Sequence, residues 1–278
     1  MKYILLVLLV MNGLSDAFAL KPDSNYVAFP DSNYVKYREE KIEEVEDNII
    51  INSWIYTPDE KQDNGVLLIL SGGDGGNMSY WVTHATLLCQ YGFTVITYDY
   101  RGFGHSSFME IEESHLFYDE FVADLKAVTD FSLKRFPGKH IGYLGYSMGS
   151  LISMLAFQEY RDKIDLIITE GLLFDVSCTT AQIEKIKEKK IIIDTKFNLK
   201  PEFIVGRIEV PALNFKGSLD NTINDCMDMD FLTKKGWETV NYEGGHLAGM
   251  SAMRDKYYGD MYVKSIIEFL RKSKLYKW

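Results

Sequence analysis

Short apolar runs alternate with longer segments of helical periodicity along most of the chain. Val66–Leu70 and Thr94–Tyr98 are unbroken β-prone runs, typical of strands buried on both faces of a parallel sheet. Six more strands are predicted at Lys41–Val45, Ile49–Tyr56, His140–Leu144, Asp165–Thr169, Val210–Lys216 and Thr239–Tyr242. Helices are predicted at Tyr80–Tyr91, Ser114–Phe136, Ser150–Tyr160, Ala181–Lys190, Asn221–Lys235 and Tyr257–Lys274. This alternation predicts an α/β fold, with a mostly parallel sheet of about eight strands and helices on both faces.

The first nineteen residues have the pattern of a secretory signal peptide. Lys2 precedes a nine-residue apolar core, and Ala17-Phe18-Ala19 fits a cleavage site after Ala19. The core is too short for a stable membrane anchor, which needs about 20 residues. We therefore expect a secreted, periplasmic or cell-envelope protein; the alternative is a buried N-terminal element.

Residues 20–37 form a separate stretch that repeats the sequence Pro-Asp-Ser-Asn-Tyr-Val at 22–27 and 30–35. Two copies are too few for a repeat fold, so we predict an extended N-terminal lead-in. The main domain is then expected to comprise residues 38–278.

Composition excludes some partners. The chain has 278 residues and a formal net charge of −10, without a basic stripe, which argues against nucleic acid and anionic lipid surfaces. The three cysteines, Cys89, Cys178 and Cys226, have no metal-site spacing. Cys178 and Cys226 both lie near the expected rim of the site and are the favoured disulfide pair; three free thiols are the alternative.

The segment Gly145-Tyr-Ser147-Met-Gly149 lies between a predicted strand and a predicted helix. A serine flanked by glycines at such a turn is typical of a nucleophile elbow, in which the tight turn exposes the hydroxyl at the edge of the sheet. The amide of Met148 would then lie at the N-terminus of the helix, where it can stabilise an anion. Ser147 is therefore the candidate nucleophile.

A serine nucleophile needs a base, and the base needs an acid that orients it. His246 follows the last predicted strand in a loop with two glycines, so it is the candidate base. Asp220 follows the preceding strand and is the candidate acid, although it is also placed to cap a helix. Asp175, which follows an earlier strand, is the rival acid.

A second oxyanion-binding amide is expected from the Ser71–Gly73 turn, which follows the first parallel strand. The amide of Gly73 is the candidate. No Walker-type lysine follows this glycine-rich loop, so a nucleotide site is not expected. Asn77-Met-Ser79 matches a glycosylation sequon, but a glycan there would block entry to the oxyanion turn, so we do not expect one.

Residues 38–274 resemble the α/β-hydrolase superfamily. The serine, aspartate and histidine have the superfamily order, and Asp99–Ser106 is similar to the D-x-R-G-x-G-x-S segment of its esterase, lipase and peptidase-like members. The resemblance implies an α/β-hydrolase fold, acyl transfer through Ser147, His246 and Asp220, no metal or organic cofactor, and a small lid at 172–208. Ser71-Gly-Gly73 replaces the frequent His-Gly-x sequence, which leaves the subfamily open.

The resemblance does not specify the substrate. A small lid, the absence of a cationic cluster and export favour a carboxylic ester or a lipid-like acyl substrate. Phe174, Phe197, Phe203 and the Tyr80-Trp81 pair are candidates to line the acyl site. A peptidase, a thioesterase or an acyltransferase with the same triad is the alternative, and a non-catalytic binding protein is a further one.

Overall fold

The computed structural model describes residues 20–44 and 46–276. The strands in this part of the chain are β1 (Lys21–Pro22), β2 (Lys36–Glu44), β3 (Ile49–Thr57), β4 (Val66–Ser71), β5 (Gly75–Gly76), β6 (Thr94–Tyr98), β7 (His140–Tyr146), β8 (Leu166–Glu170), β9 (Ala212–Gly217) and β10 (Glu238–Tyr242). The predicted signal peptide and its cleavage site lie outside the described residues.

The α-helices in the same part of the chain are α1 (Val82–Gln90), α2 (Asp119–Arg135), α3 (Met148–Tyr160), α4 (Val176–Lys187), α5 (Pro201–Ile204), α6 (Met229–Lys234), α7 (Gly249–Ala252) and α8 (Asp260–Lys272). Two short 3-10 helices are found at Met78–Trp81 and Asn224–Cys226. Of the helices described, none has both the length and the apolar character needed to cross a membrane.

Eight strands form one sheet in the order β10-β9-β8-β7-β4-β6-β3-β2. The six strands from β10 to β6 are parallel, whereas β3 pairs antiparallel with β6 and β2 pairs antiparallel with β3. The prediction of a mostly parallel sheet of about eight strands is therefore confirmed. Since the six parallel strands point the same way, the loops that follow them meet at one edge, where ligands bind in such folds.

Side chains of β4 alternate between two hydrophobic cores, one on each face of the sheet. Leu67 and Ile69 belong to the core that contains the apolar faces of α2 and α3. Val66, Leu68 and Leu70 belong to the core that contains apolar residues of α1 and α8. The expected helices on both faces are therefore present, and the unbroken apolar sequence of β4 reflects burial on both sides.

The Asp99–Ser106 segment holds the loop after β6 in place. The Asp99 carboxylate, which is buried, accepts hydrogen bonds from the amides of Met78 at 2.7 Å and His105 at 3.0 Å. A Cβ at Gly104 would lie 2.1 Å from Asp99 Oδ2, so this residue must be glycine. Arg101 pairs with the buried Asp124 at 2.8 Å. The segment thus fixes the backbone of this loop, and its D-x-R-G-x-G-x-S spacing reflects the packing of the loop.

The lead-in segment packs beside the glycine-rich turn. β1 pairs in parallel with β5, and the Asn77 side chain donates to the carbonyls of Asp23 and Asn25 at 2.8 and 2.7 Å. Tyr26 donates to Asp99 at 2.5 Å. Because Asn77 is buried and uses its amide nitrogen in these bonds, its environment agrees with the expectation that the sequon carries no glycan.

The helix predicted at Ala181–Lys190 is found at Val176–Lys187, and two other predicted helices are shortened by interruptions. The predicted helix Asn221–Lys235 is replaced by the 3-10 turn Asn224–Cys226 and the short helix α6, because Asp228 adopts an extended conformation and caps α6. The helix predicted from Ser114 begins at Asp119, because His115 pairs as a β-bridge with Ile192. Helical periodicity does not reveal either interruption.

A disulfide joins Cys178 of α4 to Cys226. This is the pair favoured from the sequence, and Cys89 is a buried free thiol. The bond connects the segment after β8, in which we expected a small lid, to the segment after Asp220. Residues 172–208 contain α4, α5 and the bridge at Ile192, so this stretch is less regular than a large helical cap.

Burial of His84 predicts a pH-dependent contribution to stability. Its side chain lies between Trp81 and Tyr146, has no hydrogen-bond partner in the described residues, and its pKa is lowered to about 4 by burial. Because the unfolded histidine has a pKa of about 6.5, the unfolded state binds more protons between these values, and stability falls as the pH falls. Between about pH 7 and about pH 5 this loss amounts to about 2 kcal/mol.

The His84→Leu variant should lack this loss, which denaturant unfolding of both proteins at the two pH values measures. His140→Gln, at a half-exposed histidine, is the matched control and should follow the parent protein. Equal pH dependence in the parent and in His84→Leu would contradict the assignment.

Candidate active site

Ser147 occupies a strained backbone conformation between β7 and α3, with φ of 52° and ψ of −118°. Side chains at the flanking positions would collide with neighbouring backbone. A Cβ at Gly145 would lie 2.5 Å from the carbonyl oxygen of Gly149, and a Cβ at Gly149 would lie 2.1 Å from that of Ser71. The two glycines therefore allow α3 to approach the ends of β7 and β4, and this close approach holds Ser147 in its left-handed conformation.

The three predicted triad side chains meet at the carboxyl edge of the sheet. His246 Nε2 lies 2.9 Å from Ser147 Oγ, and His246 Nδ1 lies 2.6 Å from Asp220 Oδ2. Ser147 and Asp220 are buried, with 2 % and 3 % of their surfaces exposed. Asp175, the rival acid, instead caps α4 by accepting from the amide of Cys178 at 2.9 Å.

The loops that carry the candidate acid, Asp220, and the candidate base, His246, are hydrogen-bonded to each other. The amide of Ser218 donates to the carbonyl of Tyr242 at 2.9 Å, and the amide of Leu219 donates to that of Gly244 at 2.9 Å. These bonds extend the parallel pairing of β9 and β10 into the loops. The separation of Asp220 from His246 is therefore fixed by backbone and not by the two side chains alone.

The two hydrogen bonds of His246 are compatible with one tautomer of its imidazole when Asp220 is ionised. An ionised aspartate only accepts, so Nδ1 of His246 carries the proton that it donates to Asp220. Nε2 is then the free acceptor, which is directed at the hydroxyl of Ser147. In this arrangement the imidazole can take the serine proton and return it to a leaving group.

The two predicted oxyanion amides lie next to Ser147. Met148 is the first residue of α3, so its amide has no partner within the helix. Gly73 follows β4, and a Cβ there would lie 3.7 Å from Ser147 Cβ. Among the described residues, neither amide donates to a backbone carbonyl. Both are thus free to donate to an anion that develops beside the serine.

Sequence reasoning missed a carboxyl group behind the histidine. Glu170 ends β8 and is fully buried. Its Oε1 accepts from the amide of Gly249 at 2.7 Å and from the hydroxyl of Tyr242 at 2.9 Å, and burial raises the pKa of the carboxyl group. A glutamate that ends an otherwise apolar strand was the available signal.

An open cleft of about 690 Å³ is lined by residues of the segment after β8 and of the segment after Asp220, whereas Ser147, His246 and the two oxyanion amides are not part of its lining. Five of its lining side chains are apolar, namely Phe174, Pro201, Met227, Met229 and Phe231. Five are acidic, namely Asp175, Glu202, Asp225, Asp228 and Asp230. The Cys178–Cys226 disulfide forms part of the wall, and the cleft thus combines an apolar surface with strong negative charge.

Only part of the predicted apolar lining reaches this cleft. Phe174 lines it and packs edge-on against Phe231. Trp81 instead stacks on Tyr146, with ring centroids 4.3 Å apart, and lines a small cavity that Gly72 and Gly73 also line. Arg207 lies over the ring of Phe203, which does not line the cleft. Packing of the 172–208 segment, which sequence alone does not determine, decides which of these aromatic residues face it.

No group of three or more His, Cys, Asp or Glu side chains within the described ranges is arranged to hold a metal ion. The chemistry described above needs only the protein side chains and the two amides.

The fold and this site define an α/β hydrolase. Residues 61–202, just over half of the chain, match the model of the family described as "Serine aminopeptidase, S33", and the chain belongs to this family. The probable aminopeptidase YbaC of Bacillus subtilis is 30% identical over 99 residues, which are 36% of this chain and 31% of that protein. The matched region thus spans less than a third of that relative.

Solved structures share the fold at low sequence identity. The esterase Pf2001 of Pyrococcus furiosus superposes with a TM-score of 0.70 at 16% identity, over 91% of this chain and 99% of the esterase. The acylaminoacyl peptidase of Pyrococcus horikoshii gives 0.61 at 17% identity, over 86% of this chain and 42% of the peptidase. Both esterases and peptidases therefore use this architecture.

Gly171 lies against the candidate base, His246. It has φ of 69°, and a Cβ there would lie 2.7 Å from His246 Cε1. We expect Gly171→Ala to displace the imidazole and to lower kcat/KM for an activated ester by about 100-fold, because small misplacements of a base are costly. Steady-state kinetics measures this loss.

Gly236→Ala is the matched control. Gly236 has φ of 79° but nothing within 4 Å of its Cβ position. This variant should lose about 1 kcal/mol of stability, from backbone strain alone, and keep its kcat/KM. An equal loss of activity in both variants would show that strain, and not contact with His246, is responsible.

Proposed function

We propose that this protein is a serine hydrolase that cleaves a carboxylic ester through a covalent acyl-enzyme. The observation that carries the proposal is the hydrogen-bonded chain from Ser147 Oγ through His246 to Asp220, with distances of 2.9 and 2.6 Å. The strained φ of Ser147 supports it, since functional residues are often held in such conformations. The fold shared with known esterases is consistent with it.

Acylation follows from the geometry of the site. Ser147 Oγ attacks the carbonyl carbon while His246 Nε2 takes the hydroxyl proton, and Asp220 stabilises the resulting imidazolium. The negative charge that develops on the carbonyl oxygen is held by the amides of Gly73 and Met148; loss of one such donor typically costs about 100-fold or more in kcat. His246 then protonates the departing alcohol as the ester bond breaks.

Deacylation uses the same groups in reverse roles. Water takes the place of the alcohol, and His246 removes its proton as the oxygen attacks the acyl carbon. The second tetrahedral oxyanion occupies the same pair of amides. Collapse of this intermediate returns the proton to Ser147 and releases the carboxylic acid, which leaves the enzyme unchanged.

Apolar side chains in the cleft support an acyl group with hydrocarbon character, including a lipid-like one. Phe174 and Phe231 pack with ring centroids 5.5 Å apart, beside Met227 and Met229. Burial of apolar surface contributes about 25 cal/mol for each Å² removed from water, so longer acyl chains should bind more tightly until the cleft is filled.

We also propose that the protein is exported. The signal-like sequence at residues 1–19 and the Cys178–Cys226 disulfide both support this, because disulfides persist in oxidising compartments. Residues 1–19 lie outside the described part of the chain, so cleavage after Ala19 stays a prediction, which the mass of the mature protein would check.

Ser147→Ala should abolish turnover of a p-nitrophenyl acyl ester, with kcat lower by about 1000-fold or more, because the nucleophile is removed. Labelling by a fluorophosphonate should be lost in the same variant. Initial rates and gel-based labelling measure the two effects.

Ser153→Ala is the matched control, since Ser153 is a buried serine of α3 whose hydroxyl has no hydrogen-bond partner in the described residues. It should keep both activity and labelling. Full activity of Ser147→Ala would sink the proposal, and failure of the parent protein to react with the probe would favour a non-catalytic binding protein.

Negative charge around the cleft favours a second function, the hydrolysis of peptide or aminoacyl substrates that carry an ammonium group. Asp225 and Glu202 are exposed carboxylates that line the cleft from two different segments of the chain, and neither caps a helix. The family of serine aminopeptidases and the aminopeptidase relative are consistent with this function. The carboxylates of the cleft would attract the ammonium group of such a substrate, whereas a neutral ester has no charge that they could attract.

Glu202→Gln combined with Asp225→Asn tests the second function. For an amino acid p-nitroanilide we expect KM to rise about tenfold, which corresponds to about 0.7 kcal/mol for each lost charge pair near the surface. For a neutral p-nitrophenyl ester KM should not change. Equal effects on both substrates, or no hydrolysis of the anilide by the parent protein, would leave ester hydrolysis as the function.

A further inference from the structure

Glu170 connects the nucleophile strand to the loop of the base. Its backbone carbonyl accepts from the amide of Ser147 at 2.9 Å. Its side chain reaches the other way, where Oε1 accepts from the amide of Gly249 at 2.7 Å. Glu170, at the end of β8, is therefore hydrogen-bonded both to the backbone of Ser147 and to Gly249, which lies three residues after His246.

Tyr242 forms the second connection to the same oxygen. Its hydroxyl lies 2.9 Å from Glu170 Oε1 and 3.1 Å from the carbonyl oxygen of Gly245, the residue before the base. Tyr242 ends β10, so the loop of residues 243–249 is held to Glu170 at both of its ends. The fully buried carboxyl group of Glu170 thus lies where this loop meets the end of the sheet.

The sequence of the loop itself does not favour a single backbone conformation. Gly244 and Gly245 precede His246 and give the backbone wide conformational freedom. Leu247 has φ of 55°, which is unfavourable for a residue with a side chain. At Gly249 a Cβ would lie 2.8 Å from Glu170 Oε1, so the loop backbone approaches the carboxyl group as closely as a glycine permits.

We propose that Glu170 is a positioning residue for the base, whose Oε1 holds the loop of residues 243–249 so that His246 Nε2 faces Ser147 Oγ. The inference rests on the proposed function, because it presumes that His246 is the base. Its effect is exerted through the amide of Gly249 and the hydroxyl of Tyr242, and Glu170 need not touch the substrate.

An acceptor oxygen at this point is sufficient for that role. The groups that surround the carboxyl group are the hydroxyls of Tyr146, Tyr242, Tyr258 and Tyr262 and the imidazole of His246. Oε2 has no hydrogen-bond partner among the described residues. Only Oε1 is used by the loop, and the amide oxygen of a glutamine can replace it.

Three variants test the proposal with a neutral p-nitrophenyl ester. Glu170→Ala should lower kcat by about 100-fold with KM within about twofold of the parent, because the base is displaced while the cleft is untouched. Glu170→Gln should recover kcat to within about threefold of the parent. Tyr242→Phe, which removes one of the two bonds, should lower kcat by an intermediate factor of about ten. The rate of fluorophosphonate labelling should follow kcat.

Asp124→Asn is the matched control. Asp124 also carries a fully buried carboxyl group, but it pairs with Arg101, and both residues are distant in sequence from the loop of residues 243–249. The variant should lose stability and keep its kcat per folded molecule. Unchanged kcat in Glu170→Ala, or a glutamine variant as impaired as the alanine one, would overturn the inference. If Glu170→Ala does not fold, an unchanged kcat in Tyr242→Phe overturns it.

The same set of measurements separates this inference from the proposed function. An inactive Ser147→Ala together with a fully active Glu170→Ala would contradict only the positioning role. An active Ser147→Ala would contradict the proposed function itself.

Discussion

The close approach of α3 to the end of β4 is the constraint on which the site depends. The carbonyl of Ser71 lies where a Cβ of residue 149 would be, so the helix begins in van der Waals contact with the sheet. Ser147 then has no room for an ordinary conformation and turns its side chain out of the sheet edge. Strain of this kind costs of order 1–3 kcal/mol and persists only because the surrounding sheet and helix, both rigid and buried, determine the turn.

The remaining groups of the site are held in place by backbone contacts around this turn. Gly73 leaves β4 beside the serine, Asp220 and His246 lie on loops bonded to each other, and Gly171 leaves room for the imidazole. Each group comes from the end of a different parallel strand. Precision in such a site comes from the pairing of the strands, so few side-chain contacts are needed to align the reacting atoms.

The sequence predicted what depends on local pattern. All eight strands of the main sheet were expected, because runs such as Val66–Leu70 are apolar throughout, and the order of serine, aspartate and histidine placed each candidate at a strand end. The prediction of a single helix over Asn221–Lys235 was wrong, since helical periodicity does not reveal that the backbone of Asp228 is extended. Glu170 was missed because its role arises from Gly249 and Tyr242, which are more than seventy residues away in sequence and meet it only in the folded chain.

The disulfide between Cys178 and Cys226 has a consequence for how the cleft can change. It joins helix α4 on one wall to the turn on the other, so the two walls form one covalently closed ring of chain that also contains strand β9 and Asp220. At this point the disulfide limits how far the two segments can separate. If substrates bind in the cleft as proposed, their selection would be altered chiefly by exchanging the side chains that line it.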